Sequence, residues 1–179
     1  MSDADFVALA SSWHDFYLTA GASAATLIGL LFVGLSINLD EFTSDGGTGI
    51  RLLGEQAFSN FVLVLLIAFF VLIPGQQSGF LAVELALVGA IGTIRVAVRA
   101  VTVRRRPVGL FSGRGHLVRR FGLSAVASLG VLGVAAMMPA SPTAAFYWLI
   151  GVVMIYLTSA AVSAWDLLIE VGRERRRVT

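Results

Sequence analysis

The stretch Phe16–Leu39, FYLTAGASAATLIGLLFVGLSINL, contains no charged residue from end to end. A bilayer's hydrocarbon is about 30 Å thick, and a helix rising about 1.5 Å per residue crosses it with roughly 20 mostly apolar residues. This stretch meets that length. Further apolar runs follow at Ala57–Ile73, Phe80–Val98, Phe121–Met138 and Ala144–Leu168. The whole chain of 179 residues is 57% hydrophobic and only 13% charged, with a mean hydropathy of +0.86. In lipid every backbone polar group is satisfied within its own segment, so the spans are helices. Strands of a membrane barrel would be short and alternating instead. The sequence therefore predicts an all-α fold: a polytopic transmembrane helical bundle with five spans, about 16–39, 57–73, 80–98, 121–138 and 144–168, in one membrane domain. The connections are too short to fold a core of their own.

All 13 basic residues are arginine and there is no cysteine, which excludes disulfides and thiolate chemistry. Arg99, Arg104, Arg105, Arg106, Arg114, Arg119 and Arg120 crowd the 99–120 connection, and Arg173, Arg175, Arg176 and Arg177 the 169–179 tail. Positive charge stays on the cytoplasmic side, so both segments are expected there and the N-terminus outside. Arg104, Arg105, Arg106, Arg119 and Arg120 are the expected contacts to anionic lipid. Nucleic acid is not expected, because no aromatics interleave with these arginines. Asp3, Asp5 and Asp15 make the first fifteen residues the reverse of a signal peptide's basic start, so the first span is expected to be retained. Phe6, Leu9, Ala10, Trp13 and Tyr17 recur at helical spacing, with Ser2 placed to cap. Residues 1–15 form either an interfacial amphipathic helix or a continuous extension of the first span.

The first span carries the most information. Thr19, Ala22, Thr26, Gly29, Val33, Ser36 and Asp40 recur every three or four residues and form one stripe of small and hydroxylated side chains ending in a carboxylate. Two readings are open. Such stripes pack helix on helix; in a ring of subunits the same stripe would line an aqueous path, with Asp40 and Glu41 as a ring of carboxylates selecting cations. Glu84, near the outer end of the third span, is a further cation-binding candidate if it faces a cavity, or a headgroup neighbour if it does not.

Near the cytoplasmic boundary, Glu55, Arg95, Arg99 and Asp166 fall at similar depth. They are expected to pair across three spans, the alternative being that each arginine reaches lipid phosphate. Gln56, Ser59 and Asn60 make the start of the second span polar. Small residues fill the third span (Ala82, Ala86, Gly89, Ala90, Gly92) and the fourth (Gly122, Ser124, Ala125, Ala127, Ser128, Gly130, Gly133, Ala135, Ala136), which places both near the middle of a bundle or at a subunit interface. The second, with Phe61, Leu65, Leu66, Phe69 and Phe70, reads as more lipid-facing.

No catalytic signature is present. His14 and His116 are expected on opposite sides of the membrane, so no metal site is expected, and no cofactor motif appears. Gly46-Gly47-Thr48-Gly49 lacks the lysine and strand of a phosphate loop. Trp13-His14-Asp15-Phe16 followed by Gly21–Asn38, with the later Ile73-Pro74-Gly75-Gln76, resembles small multi-pass proteins of GC-rich bacteria, some described as modulators of a membrane protease. That resemblance covers about the first 80 residues and implies a bacterial inner-membrane location and no particular activity. The expectation for function is a homo-oligomer forming a cation channel lined by the first span. The alternative is a non-conducting accessory or regulatory subunit that binds another membrane protein.

Overall fold

Ser2 opens the first helix, α1 (Asp3–Ser12), through a reciprocal cap. Its Oγ accepts from the Asp5 N–H at 3.2 Å, while the Asp5 carboxylate accepts from the Ser2 hydroxyl at 2.7 Å and the Ser2 N–H at 3.1 Å. A computed structural model describes residues 2–39, 48–105 and 114–178, with side chains throughout except at 48–49, 103–105, 114–121 and 173–178. After α1 come α2 (His14–Ile37), α3 (Thr48–Val71), α4 (Ser78–Arg105), α5 (Arg114–Met137) and α6 (Pro142–Val178). The described residues contain no strand. The fold is all-helical, and four helices are long and apolar enough to cross a bilayer: His14–Ile37, Ile50–Val71, Ser78–Thr102 and Pro142–Gly172. The apolar part of α5, Gly122–Met137, is shorter than the fifth span expected.

Turn chemistry sets the breaks. Gly75 is the one described residue at positive φ, +68°, where a side chain would strain the backbone, and it follows Pro74 directly after α3. Pro142 is the first residue of α6, where its fixed φ and missing N–H cost nothing. Two helices extend past the expected spans. The 40–56 connection is shorter than expected because α3 already begins at Thr48: Ile50 and Leu53 are buried against Leu167 and Val171 of α6. The basic tail continues α6 as helix to Val178.

Four helices form the bundle. α3 packs on α6, α6 on α5 and α5 on α4, while α4 meets α3 over a shorter stretch and α2 lies outside, against α3. Val64, Ile67, Leu81, Leu85, Val131 and Leu149 fill the interior. The second span, expected to face lipid, is instead central, and the third does not lie in the middle of this bundle. In α3, 61% of the spanning segment is buried, with Phe61 inside, whereas α4 is only 28% buried. Phe80, Leu87, Ile91, Ile94 and Val98 of α4 face outward.

A break at Trp13 separates α1 from α2, so the chain does not run on as one helix. Part of the apolar side of α1 meets the protein. Phe6 is buried against Phe146 of α6, and Leu9, Ala10 and Trp13 pack on the same core. Gln77, in the α3–α4 turn, donates to Asp3 at 3.2 Å, so α1, that turn and the start of α6 share one end of the bundle.

The cap gives a pH prediction. The Ser2 hydroxyl and then its N–H hold the Asp5 carboxyl below the ordinary carboxylate range. A depressed folded-state pKa stabilises the cap above the unfolded value of about 3.9 and the contribution is lost as pH falls through the lower folded value. Amide exchange in the first turn of α1 should therefore rise below about pH 4, and Ser2→Ala should flatten that dependence.

Candidate functional site

Where α3, α4, α5 and α6 converge near the end opposite α1, polar side chains replace the apolar filling. Gln56 and Asn60 lie one turn apart on α3, and both donate to Ser124 Oγ of α5, at 2.6 and 2.9 Å. Asn60 also donates to Ser159 Oγ of α6 at 3.0 Å, and the two serine hydroxyls meet at 3.0 Å. One turn deeper, Ser128 shares a 2.8 Å hydrogen bond with Tyr156 OH. From α4, Arg99 donates to Gln56 Oε1 at 2.8 Å and to Glu55 Oε2 at 3.2 Å. Ser59 donates to the Glu55 carbonyl. The result is a continuous chain from Glu55 at the bundle's end to Ser159 in its centre.

Glycine makes the chain possible. A Cβ at Gly92 would lie 2.6 Å from Ser128 Oγ and 2.9 Å from Tyr156 OH, so only a hydrogen there leaves room for that pair. Beside it a void of about 10 Å³ is lined by Asn60, Gly92, Arg95, Arg99 and Ser128 among others, space for about one water.

Of the expected charge pairs, Arg99–Glu55 is formed at 3.2 Å, with the Arg99 side chain only 14% exposed. Arg95 is half-buried at the void's edge. Asp166 is half-buried on α6, which packs on α3 and α5. Glu84 accepts from Gln76 Nε2 at 2.5 Å, and Gln76 also donates to the Phe70 carbonyl at 3.2 Å. It thus fastens the α3–α4 turn at the α1 end. Ser124, Ser128, Tyr156 and Ser159 were not expected as a site. Their i, i+4 and i, i+3 spacings are visible, but spacing alone does not say which neighbour a hydroxyl meets.

The stripe on α2 lies on the opposite side from all this. Thr19, Ala22, Thr26, Gly29, Val33 and Ser36 are exposed, while the face of α2 that meets the bundle has Tyr17, Ala20, Gly21 and Ala24 buried and Ile28, Leu31 and Leu35 partly buried. The stripe's hydroxyls are satisfied within the helix, each donating to the carbonyl four residues back: Thr19 at 2.7 Å, Thr26 at 2.9 Å, Ser36 at 2.8 Å. Towards its C-terminal end α2 stays on α3 through Leu31, Leu35 and the Phe32–Phe58 ring contact, and an apolar cavity of about 320 Å³ opens between it and α6, lined by Leu30, Leu31, Gly34, Ala164, Trp165 and Leu168 among others. Asp40, Glu41 and Arg106 lie outside the described residues, as do the side chains of Arg104, Arg105, Arg119 and Arg120. Comparison of the chain with protein-family models, curated proteins and solved structures finds no match.

Proposed function

We propose that this chain is a subunit of a homo-oligomer in the bacterial inner membrane, and that copies meet through the first span to enclose a cation pathway. The observation that carries the reading is the direction of the stripe. Thr19, Ala22, Thr26, Gly29, Val33 and Ser36 are all exposed, so among the described residues no helix of the same chain covers this small-residue face, which leaves it to a helix of another copy. One copy offers no comparable route, because Val64, Ile67, Leu81, Leu85 and Val131 close its interior. In a ring the hydroxyls would line the path, Val33 would narrow it, and Asp40 with Glu41, just beyond the end of α2, would concentrate cations at its mouth. The reading assigns no catalysis, and no cofactor.

Five crossings, with the N-terminus outside and the C-terminus in the cytoplasm, complete the proposal. It is supported by α1, the α3–α4 turn and the start of α6 sharing one end, while Arg105, Arg114 and Arg177 are at helix ends on the other.

Thr26→Leu combined with Gly29→Leu places bulk on the stripe where nothing of the chain's own lies within 4 Å of Gly29. The expected result is an unchanged helical spectrum, particle mass in nanodiscs reduced to one copy, and loss of cation flux from proteoliposomes. Wild-type protein that is monomeric and passes no common ion sinks the proposal. The apolar cavity between α2 and α6 favours a second reading, an accessory subunit that seats a helix of another membrane protein there. Under that reading one stoichiometric partner co-purifies, and filling the cavity with Gly34→Leu releases it.

A further inference from the structure

Arg95 and Arg99 sit one turn apart on α4, on the side turned towards α3 and α5. Glu55 is the carboxylate that acts on both, and it bonds directly to Arg99. Two guanidinium charges therefore share one described carboxylate. Arg99 uses its hydrogen-bonding capacity on Gln56 and Glu55. Among the described residues no side chain hydrogen-bonds to Arg95, although its wall of the void also holds Ser59, Asn60 and Ser128. The flanking Ile94 and Val98 are 62% and 59% exposed, so the approach to Arg95 from outside the bundle is open and apolar. Arg99's bonds to Gln56 and Glu55 tie α3 to α4 at this level and the void holds about one water, so a larger ligand reaches Arg95 from the outer side of α4. Arg95 is about 6 Å further from the arginine-rich end of α4 than Arg99, a distance an arginine side chain can largely span by extending its stem.

Arg95 thus has electrostatic neighbours in Glu55 and Tyr156 but no side-chain hydrogen bond among the described residues, and its planar guanidinium has room for an anion that arrives from the side. Guanidinium matches phosphate with two parallel hydrogen bonds. We propose that Arg95, backed by Arg99, binds the phosphate of an anionic phospholipid lying against the outer side of α4, with the acyl chains over Ile94 and Val98. The ligand supplies the second negative charge that Glu55 alone does not. This site is distinct from Arg104, Arg105, Arg106, Arg119 and Arg120, the expected headgroup contacts at the surface, and it is independent of whether the protein conducts.

Wild-type protein in a mild detergent is titrated with phosphatidylglycerol or phosphatidylcholine and read by native mass spectrometry and thermal unfolding. One phosphatidylglycerol per protomer is expected to bind at least about tenfold more tightly than phosphatidylcholine and to raise the unfolding midpoint. Arg95→Gln should reduce that preference to about twofold or less, and Arg95→Lys, which keeps the charge and gives up the paired bonds, should fall between. Competition by millimolar inorganic phosphate would show that the phosphate group alone suffices. Its failure would show that the lipid's chains are needed, and either outcome supports a phosphate site. Equal binding of the two lipids by wild type overturns the proposal, and that test stands even if Arg95→Gln does not fold. An unchanged preference in folded Arg95→Gln overturns it as well.

Discussion

Gly92→Leu is expected to unfold the bundle's polar end, with a loss of about 3 kcal/mol in a detergent-denaturant titration. A Cβ at this position would stand 2.6 Å from Ser128 Oγ, 2.9 Å from Tyr156 OH and 3.2 Å from Ser128 Cβ, and a leucine adds three carbons beyond it. Overpacking of this kind costs about 1–3 kcal/mol when side chains can shift. Here shifting breaks the 2.8 Å Ser128–Tyr156 bond, and hydrogen bonds between membrane helices average about 0.6 kcal/mol. Gly133→Leu is the matched control. Gly133 is exposed and has nothing within 4 Å of its Cβ position, so its change should stay within about 0.5 kcal/mol. Equal stability of the two variants would mean that α4 and α5 do not meet at Gly92.

The contrast between those glycines also shows what the sequence could and could not disclose. Length and hydropathy made the helices legible, because lipid imposes one rule on every spanning segment. Gly89, Gly92 and Gly130 were legible as packing sites. A Cβ on each would come within 3 Å of Leu132, Ser128 or Val152 respectively. The Arg99–Glu55 pair followed from depth alone. Which face of each helix points inward was harder to read. In water, burial sorts apolar from polar; in a bilayer, lipid tails are as apolar as leucine, so Phe61 inside and Phe80 outside satisfy the solvent equally well. The second span therefore looked peripheral although it is central. The sharper clue was Gln56 and Asn60, which need hydrogen-bond partners that lipid cannot give. Two amides one turn apart point a helix inward more reliably than any pattern of leucines.

The same logic separates the two ends of the α2 stripe from the α2 face that packs. Gly21 and Thr26 look alike as small residues at helical spacing. A Cβ on Gly21 would meet Ala68 at 2.9 Å, which ties this turn to α3, whereas the Thr26 hydroxyl bonds its own helix and leaves the surface unclaimed. Small residues thus occupy both a packed and an exposed face of one helix, and only the fold tells them apart.

Phe146→Ala is expected to release α1 from the bundle, at a cost of about 3–5 kcal/mol for a fully buried phenylalanine. Phe146 joins three segments. Its ring lies 6.0 Å from Phe6 of α1, stacks on Trp13 at 6.2 Å and 3°, and meets Tyr17 of α2 edgewise at 6.1 Å. Removing it leaves Phe6 and Trp13 facing a cavity, and α1 is then held by the partly buried Leu9 and Ala10 and by the Gln77–Asp3 bond. The indole N–H of Trp13 is buried with no described partner, a debit of about 1–3 kcal/mol that docking of α1 already bears. Freed from Phe146, Trp13 should therefore turn towards water. Amide protection across Asp3–Ser12 should fall by orders of magnitude while α3 to α6 keep theirs, and Trp13 emission should shift to the red. Tyr147→Ala, which removes an exposed ring 5.0 Å from Trp13, should change neither by a comparable amount. Full protection of α1 in Phe146→Ala would show that α1 is held by something other than this aromatic cluster.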